Sequence, residues 1–286
     1  MARLNLYSRL GVPATFDREH KYVTSPIFRS PLTLALLRTT IALYTLVVLL
    51  VTLIWKVTKE HDGQSYFSFF TYLTYTGLCA YYFASSTQTI SYALRWRKGG
   101  AGAGYPLQRW SKILQALHVI LQSTIITFPI LVTVVFWVLL ADPSTFGTLF
   151  SSWSNISVHA LNTLFALVEI LLTNSPPAPW LTLIPCLLVM VGYLGVAYIT
   201  HATQGIYTYS FLDPHKQGAK LAAYIVGIAV GEIIVFSLVR GVVVLRERWA
   251  VKAGRVLALP EDRPEDDGDD WEHIESPITG HKTSEV

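Results

Sequence analysis

A chain of 286 residues that is 52% hydrophobic and 14% charged, with a mean hydropathy of +0.42, is too apolar for a soluble domain of its size and belongs in lipid. The net charge of +3 conceals an asymmetry, because residues 256–286 hold ten of the nineteen acids with only Arg263 and Lys282 as bases, leaving twenty bases against nine acids elsewhere. Cys79 and Cys186 both fall in apolar runs, which indicates neither a disulfide framework nor a Cys-based metal site.

Residues 1–31 form a basic arm without the continuous apolar core of a signal peptide, so the first membrane helix is expected to act as an uncleaved anchor. Six apolar segments follow at about 34–55, 66–86, 113–140, 155–173, 180–200 and 221–245, each near the roughly 17–25 residues that cross a bilayer. Arg38 lies near the start of the first, where its side chain is expected to snorkel to the headgroups. Trp55, Tyr66, Trp137 and Trp180 stand near segment ends as interfacial anchors.

The second segment is dense in aromatic and hydroxyl side chains from Tyr66 to Gly77. Spacing alone gives Thr74 no special status, since its hydroxyl could bond back to the carbonyl four residues earlier. Residues 99–104 read as a flexible glycine-rich connector, and His118, Gln115 and Gln122 share one face of the third segment in a structural role. Pro129 and Pro185 are expected to kink their helices and open a cavity.

The fourth segment carries Asn155, His159, Asn162 and Glu169 at spacings that set them along one helical stripe, which must face protein or water. Such groups either hydrogen-bond neighbouring helices or carry function, and the stripe alone does not choose. Residues 174–179, Asn-Ser-Pro-Pro-Ala-Pro, form a stiff connector to a fifth segment that ends in a polar and aromatic cluster from Thr200 through His201 to Tyr209. Glu232 sits in the sixth segment beside the small residues of Gly227 to Gly231.

Lys and Arg gather before the first segment, around the second loop and after the last segment, so the positive-inside rule puts both termini in the cytoplasm. The expected fold is an all-α integral membrane bundle of about six transmembrane helices: an arm over 1–31, a membrane domain over 32–250 and an acidic, disordered cytoplasmic tail over 251–286. In this orientation Thr74, His159 and His201 can share the outer leaflet. Thr74 is eight residues beyond Tyr66, about 12 Å down a helix, and His159 matches that depth only if its helix begins near Phe150.

These residues resemble the family of androgen-induced and androgen-dependent membrane proteins, whose characterised members are threonine hydrolases of fatty acid esters of hydroxy fatty acids. Tyr72-Leu73-Thr74-Tyr75 is similar to the family's nucleophile motif, and Trp153, Asn155 and His159 match its histidine motif, with Glu169 following. Phe128-Pro129, Val135-Phe136-Trp137 and the set His201, Gly205, Tyr209, Phe211 and Leu212 extend the likeness through most of residues 66–245. The N-terminal arm, the glycine-rich loop and the acidic tail depart from it.

The resemblance implies an ester hydrolase in which Thr74 attacks and His159 takes the proton, acting on a lipid substrate drawn from the bilayer. Asn155 is a candidate orienting partner, Glu169 lies about 15 Å along the helix from His159, and His201 or a tyrosine is a candidate oxyanion donor. No cofactor, metal or nucleic-acid partner is expected, and the oligomeric state is left open. The implied location is the endoplasmic reticulum, another endomembrane or the plasma membrane. Two rival readings stay open: a transporter or non-catalytic membrane protein built on intramembrane Glu and His groups, and a haem protein ligated by His159 and His201.

Overall fold

The computed structural model describes residues 6–99 and 104–254. The glycine-rich connector at 100–103 and the acidic tail from 255 onward lie outside the described residues, together with the expectations attached to them.

Helices dominate, and the described residues contain no strand. The long elements are α1 (Pro31–Thr58), α2 (Phe70–Gly99), α3 (Lys112–Val135), α4 (Leu149–Ile156), α5 (Asn162–Leu172), α6 (Leu183–Gln204) and α7 (Lys220–Lys252). A π turn, Phe136–Leu140, prolongs α3, and a second, Ser157–Leu161, joins α4 to α5 into one rod. Five rods are long and apolar enough to cross a membrane: Pro31–Thr58, Lys112–Leu140, Leu149–Leu172, Trp180–Gln204 and Lys220–Lys252. The sixth, α2, is 30 residues long and packed into the bundle, but its many hydroxyl and phenol groups make it markedly less apolar.

Local chemistry sets the helix ends. Ser30 accepts a hydrogen bond from Leu32 N at 3.2 Å with Pro31 in the first turn, where its missing N–H costs nothing. At the other end of the bundle Gly205, at φ 73°, terminates α6 in the left-handed conformation and donates its N–H to His201 O at 2.9 Å. The segment after α6 is thereby turned back across the bundle end.

The first helix shows how a lipid-facing helix is written. Leu36, Leu43, Val47, Leu50 and Ile54 are exposed along one stripe, while Leu34, Arg38, Ile41, Thr45, Val48 and Thr52 are buried along the opposite one. The side facing protein is thus the more polar. Each buried threonine hydroxyl satisfies a carbonyl of its own helix, Thr45 that of Ile41 at 2.9 Å and Thr52 that of Val48 at 2.7 Å.

Helix α1 packs along α2, while α3 is central, touching α2, α5, α6 and α7. One core lies among α1, α2, α3, α5 and α7, around Tyr75, Tyr81, Tyr82, Phe165 and Phe236. A second is built by the N-terminal arm, whose Val12, Phe16, Tyr22 and Val23 are buried against Tyr92, Tyr105 and Val119. The arm is therefore part of the folded body. A third joins α6 and α7 to Phe211 and Leu212 of the returning segment.

Arg38 corrects the expectation placed on it. Its side chain has no solvent exposure and turns inward to Glu169, with Nε–Oε1 and Nη2–Oε2 distances of 2.8 and 2.6 Å. The Nη1 group also donates to Tyr22 O and Thr89 Oγ1, and Tyr81 donates to Glu169 Oε2 at 3.0 Å. A buried carboxylate with a bidentate partner and a full set of hydrogen bonds offers the guanidinium a better site than the headgroup region, whose attraction is all that snorkelling offers.

Candidate functional site

A cavity of about 320 Å³ opens among α2, α3, α6, α7 and the segment that returns after α6. Its walls are almost wholly apolar: Leu131, Val132, Val135 and Phe136 from α3 and its π turn, Leu187, Met190 and Leu194 from α6, and Ile225, Ile228 and Ala229 from α7. Polar atoms enter from three places, Thr71 on α2, Tyr193 on α6 and Tyr209 on the returning segment. A concave apolar chamber with a few convergent hydroxyls has the form of a small-molecule site.

Thr71 and Thr74 lie one turn apart on α2 and differ in the state of their hydroxyls. Thr74 donates into its own helix, to Phe70 O at 2.8 Å and to Thr71 O at 3.1 Å, and it does not line the cavity. Thr76, Thr87 and Thr89 also donate to the carbonyl one turn earlier, at 2.6–2.8 Å. Thr71 belongs to the first turn, where the preceding residues Gly63–Ser68 form a 3₁₀ segment and no helical carbonyl stands behind it. Its side chain instead lies beside the Tyr209 hydroxyl.

His159 lies in the π turn Ser157–Leu161 and is buried at 7% exposure, with its ring stacked on Phe136 at 3.5 Å between centroids and 3° between planes. Phe136 both lines the cavity and stacks on the imidazole. The change of winding at a π turn releases carbonyls from the regular ladder, and Trp137 Nε1 donates to His159 O at 3.0 Å. Both π turns among the described residues thus meet at this one contact. His159 Nδ1 is buried with no hydrogen-bond partner, an anomaly where buried polar atoms are ordinarily satisfied.

The helix begins at Leu149, close to the start that a common depth for Thr74 and His159 requires, and α2 packs directly against the π turn. The structure therefore brings together the elements that carry the threonines and the histidine. Among the described residues no hydrogen bond joins His159 to Thr74 or Thr71.

The supporting candidates take other places. Asn155 donates to Thr145 O at 3.0 Å, tying α4 to the turn Pro143–Phe146 rather than orienting His159. Asn162 accepts from Thr133 at 3.0 Å and reaches Pro129 O, so it braces α3 where Pro129 interrupts the ladder. Glu169 is consumed by Arg38 and Tyr81. His201 stacks on Tyr207 at 3.8 Å and does not line the cavity, so the two imidazoles considered for haem rest on separate aromatic partners. His118 is packed between Tyr22 and Tyr81, in keeping with a structural role.

Sequence reasoning did not single out Thr71, and it quoted Phe136 only as part of the family likeness, although both line the cavity. A signal for Thr71 exists: Phe69-Phe70-Thr71-Tyr72 repeats the aromatic-x-Thr-aromatic pattern three residues before Tyr72-Leu73-Thr74-Tyr75. The pattern occurs twice, and only the three-dimensional arrangement tells the copies apart.

The profile of the FAR-17a/AIG1-like protein family matches residues 37–242, and the chain belongs to that family, the androgen-induced gene 1 family of membrane proteins. The match takes in the cavity, both threonines and His159. No curated protein and no solved structure matches the chain.

Proposed function

We propose that the protein is an integral-membrane ester hydrolase for lipids, of the type that cleaves fatty acid esters of hydroxy fatty acids, with a threonine nucleophile and His159 as base. The observation that carries this reading is the apolar cavity with Thr71 in its wall and His159 stacked on the wall residue Phe136. Its walls suit acyl chains, and its polar atoms are too few for a sugar or a nucleotide. We assign the attacking hydroxyl to Thr71 in preference to Thr74, whose proton is engaged by its own helix.

The chemistry is acyl transfer. The threonine oxygen bonds to the ester carbonyl carbon while its proton passes to the imidazole, and collapse of the tetrahedral intermediate breaks the ester C–O bond as that proton goes to the leaving alkoxide. Water then attacks the acyl-threonine by the same route and frees the acid. Threonine needs such a base, and a base without a partner in the resting site is available to it. Catalytic hydrogen bonds often form only when substrate closes the site, which accommodates the absence of a Thr–His bond in the free protein.

With the basic clusters on one side, this reading has α2 as a sixth span and both termini in the cytoplasm. The test is labelling of membranes with an acyl-directed electrophilic probe. Label on the native chain that is lost in Thr71→Ala and kept in Thr74→Ala supports the assignment, and the reverse moves the nucleophile to Thr74. Absence of label and of hydrolysis in the native chain overturns the hydrolase. The rival transporter reading would then rest on Glu232, which has no solvent exposure, accepts from Thr127 at 2.7 Å through Oε1 and leaves Oε2 unpartnered.

A further inference from the structure

The hydrolase reading leaves the negative charge that builds on the ester carbonyl oxygen without a named partner. In a chamber lined by aliphatic side chains that charge needs a donor already in place, since the walls offer few polar atoms to meet it. His201, the candidate from sequence, stacks on Tyr207 with its Nδ1 unpartnered and stands outside the cavity wall. The Trp137 indole N–H is committed to His159 O. Tyr193 has its hydroxyl shared between Ser68 O at 3.2 Å and Thr208 Oγ1 at 3.0 Å.

Tyr209 differs in its place beside Thr71, although its hydroxyl also lies near Tyr193 and the backbone of Phe70 and Thr71. The left-handed turn at Gly205 sends the chain back over the bundle end, and Tyr209, extended at φ −134°, brings its ring to the cavity. The ring is gripped by Phe211 in a parallel stack at 5.1 Å, by Phe69 edge-on at 5.8 Å and by Tyr193 at 6.2 Å. A ring held on three sides keeps its hydroxyl in one place. That hydroxyl lies beside the Thr71 side chain in the wall of the same cavity, which sets a phenol O–H near the carbonyl oxygen of an ester under attack by Thr71.

We propose that Tyr209 is a catalytic hydrogen-bond donor to the carbonyl oxygen of the ester as Thr71 attacks. The inference rests on the hydrolase reading and adds to it. As the threonine oxygen bonds to carbon, the carbonyl π pair moves onto oxygen and the phenol O–H donates to it without transferring its proton. When the intermediate collapses the pair returns and the alcohol leaves with the proton carried by His159. Tyr209 ends each half-reaction unchanged.

The experiment compares native protein, Tyr209→Phe and Thr71→Ala in the same membranes, using a long-chain ester for turnover and the electrophilic probe for acylation. Tyr209→Phe keeps the ring and its three packing partners, so KM and thermal stability should stay within about threefold while kcat and the labelling rate fall by about 100-fold or more. A fluorinated tyrosine at 209, of the same shape and a more acidic phenol, should change kcat and leave KM alone. If Tyr209→Phe turns over at the native rate while Thr71→Ala is dead, the donor role is wrong and the hydrolase stands. If the native protein neither labels nor turns over, the hydrolase reading fails and takes this proposal with it.

Discussion

Arg38 and Glu169, 131 positions apart in the chain, form a two-pronged ion pair in which neither side chain is exposed. It joins α1 to α5, and through Tyr22 O and Thr89 it also holds the N-terminal arm and α2. Removing one partner leaves a charge stranded in the bundle. Arg38→Met or Glu169→Leu alone should therefore destabilise the protein by about 3–5 kcal/mol, and the double substitution should recover much of that loss. Thermal unfolding in detergent checks this, and strict additivity of the two losses would show that they do not act as a pair.

The threonine series separates two hydroxyls one turn apart. Thr71→Ala should abolish ester hydrolysis and Thr71→Ser should retain a measurable part of it, because the attacking oxygen survives. Thr74→Ala, which removes a hydroxyl already bonded to Phe70 O, should keep activity within about threefold and stability within about 1 kcal/mol. His159→Ala should match Thr71→Ala in severity, and the double variant should be little worse than either one.

Topology is a separate matter from catalysis. Tags at Met1 and Val286 should be equally protected from protease added outside sealed vesicles, because the basic clusters fall before the first span, around the second loop and just after the last span. Cleavage of one tag alone would mean that α2 does not span.

Asp17, in the arm and outside the membrane-spanning helices, should make arm packing depend on pH. Burial raises its carboxyl to about 6 from 3.8 against the hydrogen bonds from Tyr105, Tyr22 N and Lys21 N that favour ionisation. Because the folded value is the higher, its stabilising contribution is complete below about pH 4 and is lost as pH rises through 6. His20 beside it is lowered by burial and acts in the opposite sense on acidification, so the comparison must be made with Asp17→Asn. Relative to that variant, the native arm should lose about 1–3 kcal/mol of protection between pH 4 and 7, read by hydrogen exchange at Val12 to Val23. A pH-independent difference would place the carboxyl outside the packed arm.

Much of the architecture was legible in the residues themselves. Runs of apolar side chains about 20 residues long have few alternatives to spanning helices, since the bilayer satisfies no backbone group for them. Five of the six expected segments reappear as apolar rods, and the stripe from Asn155 to Glu169 does face protein, because its spacing is fixed by the helical repeat. The family, too, could be read from the order and spacing of several motifs, from Tyr72-Leu73-Thr74-Tyr75 through Trp153, Asn155 and His159 to the segment from His201 to Leu212.

Only the tertiary structure decided what those polar groups meet. Arg38 and Glu169 were read as separate groups, one snorkelling and one near a site, because nothing in a linear pattern reports a contact between α1 and α5. The two threonine motifs are alike as strings, yet Thr71 stands in the first turn with no helical carbonyl behind it, and Thr74 stands in the second turn with Phe70 O at 2.8 Å. Tyr209 comes beside Thr71 because a glycine cap reverses the chain, and Phe136 joins cavity wall to imidazole where two π turns meet. Helical periodicity assigns a residue to a face, but the neighbour on that face belongs to a distant segment, and its identity is set by how the helices pack.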